Sequence, residues 1–160
     1  MPHISVIIPV YNAGNYIVDT LNSVLQQTLK DIEVIVVNDG SNDQSLAECY
    51  RLQEIDKRII IINQDNQGVS KARNVGKQNA TGDYIIFIDA DDELDCRMLE
   101  ILYTQARKTD SDISVCGVDR IFEKKQEEKK KVSLQLWGNY CWSGDRMAVV
   151  GPKNWVGRME

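Results

Sequence analysis

Short β-branched runs recur along this chain, and between them the apolar residues switch to helical spacing. That alternation constrains the fold more than any other feature. Residues 4–10, ISVIIPV, read as a first strand stopped by Pro9. Ile17, Leu21, Val24 and Leu25 then recur at i, i+4, i+7 and i+8, one face of a helix. Residues 32–38, IEVIVVN, read as a second, wholly apolar strand closed by the turn signal DGSND. Ser45 is placed to cap a helix carrying Leu46, Cys49, Tyr50 and Leu52. Residues 58–63 give a third strand. A short helix follows Gly68, with Ser70 as its candidate cap and Ala72, Val75 and Gly76 facing inwards. Residues 84–88 give a fourth strand, Leu99, Leu102, Tyr103 and Ala106 a further helix, and residues 112–118 a fifth strand. Strands apolar on both faces, alternating with amphipathic helices, predict an α/β domain around a mostly parallel sheet.

Composition narrows the function classes. A net charge of −5 argues against a nucleic-acid surface, whose affinity comes mainly from Lys and Arg on phosphates. No apolar run approaches the ~20 residues of a membrane span, and the N-terminus lacks the basic start and apolar stretch of a signal peptide. Cys49, Cys96, Cys116 and Cys141 show no CxxC spacing and read as reduced, mostly buried thiols of a cytoplasmic protein.

The polar residues fall in a telling place. PVYN (9–12) follows the first strand, NDGS (38–41) the second and DADD (89–92) the fourth. In a parallel sheet those ends share one edge, where open α/β sheets bind ligands. Each motif has a plainer explanation: Tyr11 as a packed aromatic, Asp39-Gly40 as a tight turn, and Asp91 to Glu93 as acids at a helix start. The last does not account for four acids in five residues, with Asp89 still at the strand tip and no cation adjacent in sequence. Two carboxylates about 6 Å apart at an effective dielectric of about 20 repel by roughly 3 kcal/mol. A divalent cation, Mg²⁺ or Mn²⁺, relieves that repulsion and bridges to substrate phosphates. Neither a P-loop nor a G-x-G-x-x-G fingerprint is present, so the metal itself has to hold a diphosphate. Lys71 and Arg73 are the candidate basic helpers, with a solvated helix face as the alternative.

In this order and spacing, SVIIPVYNAGNYIVDTLNSVLQQT, IEVIVVNDGSND and NQGVSKARNVGKQNATGDYIIFIDADDEL resemble the family 2 glycosyltransferases of GT-A fold, over about residues 4–118. The resemblance implies a three-layer αβα domain with a nucleotide-sugar site, usually for a UDP-sugar. It implies that Pro9 and Tyr11 flank the base, Tyr11 by stacking, and that Asp39 accepts a hydrogen bond from it. Lys71 and Arg73 border the nucleotide. Asp89, Ala90 and Asp91 form the family's Asp-x-Asp, with Asp89 towards the ribose and Asp91 on the metal; Asp92 stays open between metal and helix start. The implied activity is metal-dependent, inverting transfer to a saccharide or lipid-linked acceptor, in bacterial surface polysaccharide synthesis, at the inner face of the membrane.

Residues 1–118 are thus expected to form the donor domain, on a sheet complete by about Val118, and 119–160 the start of an acceptor region. The latter opens with the charge run 123–131 and continues through Trp137, Trp142 and Trp155. An inverting enzyme needs a carboxylate base. Asp145 is the nearest candidate, with a surface turn as its other explanation; the base is otherwise expected beyond Glu160, in a continuation that would also carry any peripheral membrane contact. The 160 residues are therefore expected to bind donor without transferring sugar. Four rival functions share parts of this pattern. A receiver module and a haloacid dehalogenase-type phosphatase need their acids after the first strand, and a sugar-nucleotide pyrophosphorylase needs a Gly-rich basic loop there. A nucleotide-sugar-binding module without catalysis is separated from an enzyme only by assay.

Overall fold

The computed structural model describes residues 1–117 and 148–152. Its elements alternate as β1 (Ile4–Val10), α1 (Ile17–Leu25), β2 (Ile32–Asp39), α2 (Ser45–Ile55), β3 (Ile59–Gln64), α3 (Val69–Asn79), β4 (Tyr84–Phe87), α4 (Met98–Thr109), β5 (Ser114–Cys116) and β6 (Ala148–Pro152). The sheet order is β3-β2-β1-β4-β6-β5. The first four of these are parallel, with Ile4 level with Ile32 on one side and Tyr84 on the other. β6 runs antiparallel to both β4 and β5.

Period-two alternation along the strands feeds two cores, one on each face of the sheet. Ile4, Val6, Ile8 and Val10 of β1 join Val34 and Val36 of β2 against Ile17, Leu21 and Val24 of α1 and Leu99 and Leu102 of α4. Ile7, Ile35 and Val37 face the other way, onto Ala72 of α3. Three layers result, as expected. Each fully buried Ile, Leu or Val contributes about 1.5–3 kcal/mol, so the α1 stripe alone accounts for several kcal/mol of docking. α3 packs closely on β1: a Cβ added at Gly76 would clash with Ile7 Cγ2.

Several sequence expectations need correction. β1 has the expected bounds, Ile4–Val10, with Pro9 inside it rather than ending it. Ile7 faces β4, accepting from Ile88 N, so by alternation Pro9 faces β4 too, beyond its last residue, Phe87. Its missing N–H costs the ladder nothing there. The second run is not wholly apolar in effect: buried Glu33 accepts from the Ser5 hydroxyl, Thr81 N and Gly82 N, tying β1, β2 and the α3–β4 loop together at the edge opposite the motifs. Ser45 and Ser70 cap nothing. Ser45 N donates to Asp43 Oδ1 at 2.9 Å, so Asp43 does the capping chemistry, while Ser70 lies inside α3. The sheet is not complete by Val118, because β6 wedges between β4 and β5, and β5 is only three residues long. Cys49 and Cys116 are buried, but Cys96 is exposed. The charge run 123–131, Trp137, Trp142, Trp155, Cys141 and Asp145 lie outside the described residues.

Candidate active site

Chain order runs outward from β1 through β2 to β3 and then returns to place β4 on the other side of β1. The crevice beyond the carboxyl ends of β1 and β4 is therefore a topological switch point, the usual ligand site of such sheets. Tyr11 follows β1, Asp39 ends β2 and Asp89 lies just past β4. With neighbouring strands about 4.8 Å apart, the tips of β2 and β4 lie two strand spacings apart, with Tyr11 at the tip of β1 between them.

Tyr11 is 53% exposed, so it is not a packed core aromatic. The three residues after it fix its backbone. Asn12 takes φ +50°, a left-handed conformation that Asn tolerates better than most residues. Asn12 N donates to Ser41 Oγ at 3.1 Å, and Asn12 Oδ1 accepts from Asn42 N at 3.0 Å. Gly14 N donates to Asp43 Oδ2 at 2.9 Å. The loop after β1 is thus pinned to the loop after β2. Sequence reasoning missed Asn12, Ser41 and Asp43; the available signal was the preference of Asn for the left-handed region.

Asp39 is 3% exposed and its carboxylate is a clamp. Oδ1 accepts from Gln64 Nε2 at 2.7 Å and Gln67 N at 2.9 Å, and Oδ2 accepts from Gly68 N at 2.8 Å. Burial pushes this carboxyl up, but the three hydrogen bonds outweigh it and hold the pKa below the ordinary value. Oδ2 keeps acceptor capacity for a further donor. Gly40, at φ +72°, makes the tight turn: a Cβ there would lie 2.8 Å from Asn66 N.

The acids form a turn. Asp92 N donates to Asp89 O at 3.1 Å, and Asp89 N donates to Asp92 Oδ2 at 3.3 Å. The expectation that Asp91 to Glu93 could sit at a helix start does not hold, since α4 begins only at Met98. This removes the helix-start alternative for Asp92. The cation missing from the neighbouring sequence comes from α3: Arg73 Nη2 lies 2.6 Å from Asp89 Oδ1. Arg73 Nε is buried without a hydrogen-bond partner among the described residues. Lys71 is exposed and donates to Gln67 Oε1 at 3.1 Å, so of the two basic candidates only Arg73 reaches the acids. Ala90 is half-buried against the core, and Asp91 is exposed.

The donor set suits a hard divalent ion, being carboxylate oxygen throughout. Among the described residues no three His, Cys, Asp or Glu side chains converge to hold a metal.

The sequence profile described as "Glycosyl transferase family 2" matches residues 5–156. The chain belongs to that family. Glycosyltransferase GlyA of Streptococcus pneumoniae is 46% identical over 112 residues, 70% of this chain and 16% of that protein. S. aureus TarS 1-349 in complex with UDP-GlcNAc is similar with a TM-score of 0.64 at 32% identity, over 71% of this chain and 33% of that one. The mannosyltransferase PcManGT from Pyrobaculum calidifontis, in complex with GDP-Man and Mn²⁺, gives a TM-score of 0.57 at 27% identity, over 60% of this chain and 29% of that one. The α/β fold is that of GT-A glycosyltransferases. This family 2 chain spans 16% to 40% of the length of the first four curated relatives it matches. None of the helices among the described residues is long and apolar enough to cross a membrane.

Proposed function

We propose that this chain is the donor-binding part of a glycosyltransferase that moves a sugar from a UDP-sugar to a saccharide or lipid-linked acceptor, with inversion. The observation that supports the reading is the placement of Tyr11, Asp39 and the acid turn at the carboxyl ends of the neighbouring strands β1, β2 and β4, with Arg73 paired to Asp89. An exposed aromatic ring, a buried acceptor, a cation and a carboxylate cluster match the base, the base edge, the diphosphate and its counter-ion of one nucleotide. The likeness to TarS bound to UDP-GlcNAc favours a uridine donor. In this reading Tyr11 stacks on the base beside Pro9, and Asp39 Oδ2 accepts from its N–H. Lys71 borders the nucleotide from the exposed side. Arg73 leaves Asp89 in part for the diphosphate, and Asp89 turns to the ribose.

Asp91, with Asp89 and Asp92 beside it, would hold Mg²⁺ or Mn²⁺. The ion, when bound, supplies charge neutralisation for the departing diphosphate. We place the carboxylate base for the acceptor hydroxyl outside the described residues, with Asp145 as the candidate within this sequence. A pyrophosphorylase remains disfavoured, since the loop after β1 carries neither glycine-rich spacing nor a Lys or Arg.

The test is titration calorimetry of UDP in Mn²⁺ and in chelator. Without a glycine cradle the ion is the main counter-charge to the phosphates beside Arg73, so affinity should fall at least tenfold in chelator, about 1.4 kcal/mol or more. Asp91→Asn in Mn²⁺ should bind as the wild type does in chelator. Equal affinity in both conditions would remove the metal from the reading.

A further inference from the structure

The segment between β4 and α4 carries the acids without a regular element of its own, and its position is set from α1. Thr20 and Ser23 on α1, and Gln27 two residues past its end, present polar side chains to that segment. Thr20 Oγ1 donates to Ala90 O at 2.8 Å. Leu94 N donates to Ser23 Oγ at 3.1 Å. Gln27 Nε2 donates to Asp95 O at 2.7 Å, and its Oε1 accepts from Leu99 N at 2.9 Å in the first turn of α4. Thr20 and Gln27 are 1% and 0% exposed. Buried polar side chains are tolerated only when satisfied, and these are satisfied by the backbone of one segment. Apolar residues would dock α1 as well; they would not hold that backbone.

Ser23 and Gln27 grip the far end of the segment, next to α4. Of the three, Thr20 is the one that bonds within the acid turn, at Ala90. Its one hydroxyl proton goes to Ala90 O, the shorter contact, rather than to Tyr16 O at 3.4 Å. That carbonyl belongs to the peptide joining Ala90 to Asp91, one residue after Asp89. We propose that Thr20 is a positioning residue of the diphosphate site, setting through Ala90 where the Asp89 and Asp91 carboxylates stand. The inference rests on the donor-site reading above, and it concerns a residue that touches neither nucleotide nor ion.

Thr20→Val keeps the shape and removes the hydroxyl, while Thr20→Ser keeps the hydroxyl. UDP is titrated in Mn²⁺ and in chelator, and the quantity read is the ratio of the two affinities. Partners that orient ion-binding carboxylates typically change affinity 10- to 100-fold, so Thr20→Val should cut the ratio about tenfold, and Thr20→Ser should restore it. Thermal midpoints are measured alongside, because a purely structural role would lower the midpoint and leave the ratio alone. Thr20→Ala, which makes no steric demand, is read the same way if the valine variant does not fold. A wild-type ratio in Thr20→Val, or a loss that serine does not restore, overturns the inference alone. A wild type with no Mn²⁺-dependent gain overturns the donor reading and this inference together.

Discussion

Asp39 is named in the sequence by its neighbours: a carboxylate before glycine at the end of an apolar run. Its capacity to accept a hydrogen bond is legible there, but the groups it accepts from are not. Gln67 and Gly68 lie 28 and 29 positions downstream, and only the pairing of β2 with β3 brings their N–H groups to it. The same carboxylate therefore shapes the β3–α3 loop and stands ready for a base. Asp39→Asn tests the first duty. The amide offers one acceptor oxygen and turns an NH₂ towards a backbone N–H, leaving a part-buried donor unpaired. The expected loss is about 1–3 kcal/mol in urea denaturation. An unchanged midpoint would mean that the loop holds itself.

Among the elements, α3 carries the most consequence for its length. Its apolar positions predict the buried face, and Ala72 and Gly76 are indeed the buried pair. What periodicity does not reveal is how near the helix comes. Gly76 meets Ile7 so closely that an added methyl has to push α3 outward or move a buried strand residue. Overpacking of this kind costs typically about 1–3 kcal/mol, so Gly76→Ala should lower the urea midpoint by that amount. Arg73 lies on the same helix, so UDP affinity in Mn²⁺ should fall as well. Wild-type stability with wild-type affinity would show that α3 can shift freely, against the close packing seen here.

For the molecule as a whole, pH offers the readout. In Asp39 burial raises the carboxyl and its hydrogen bonds more than reverse it; the Ser45 hydroxyl lowers Asp43, and Arg58 lowers Asp56. All three have folded pKa values below the ordinary 3.8. The unfolded chain therefore binds more protons in that window. Their contribution is present above 3.8 and is lost as pH falls through the folded values. The thiols set the other limit, because burial pushes Cys49 up to about 12 and Cys116 up to about 11, from 9.0. Their contribution is present below 9.0 and is lost as pH rises towards those values. The expected thermal midpoint is flat between the two limits and falls outside both. Replacing Asp39, Asp43 and Asp56 together by Asn should flatten the acid limb, at a cost in stability across the plateau. An acid limb of unchanged steepness in that variant would assign acid unfolding to other groups.

The sequence by itself determined the alternation of strand and helix, the parallel set of strands, the two-sided core and the edge on which Tyr11, Asp39 and Asp89 gather. These arise from periodicity and turn chemistry, which are written within a few residues of one another. Tertiary structure alone decided the partners. Arg73 meets Asp89 across 16 positions and Thr20 meets Ala90 across 70, while Glu33 finds Ser5 across 28 and Thr81 across 48. The insertion of β6 between β4 and β5 belongs to the same class. A lone Thr, Glu or Arg has the same local appearance whether solvated or buried. Which one becomes a clamp depends on strand order and on how closely each helix approaches the sheet, and those depend on the whole packed chain.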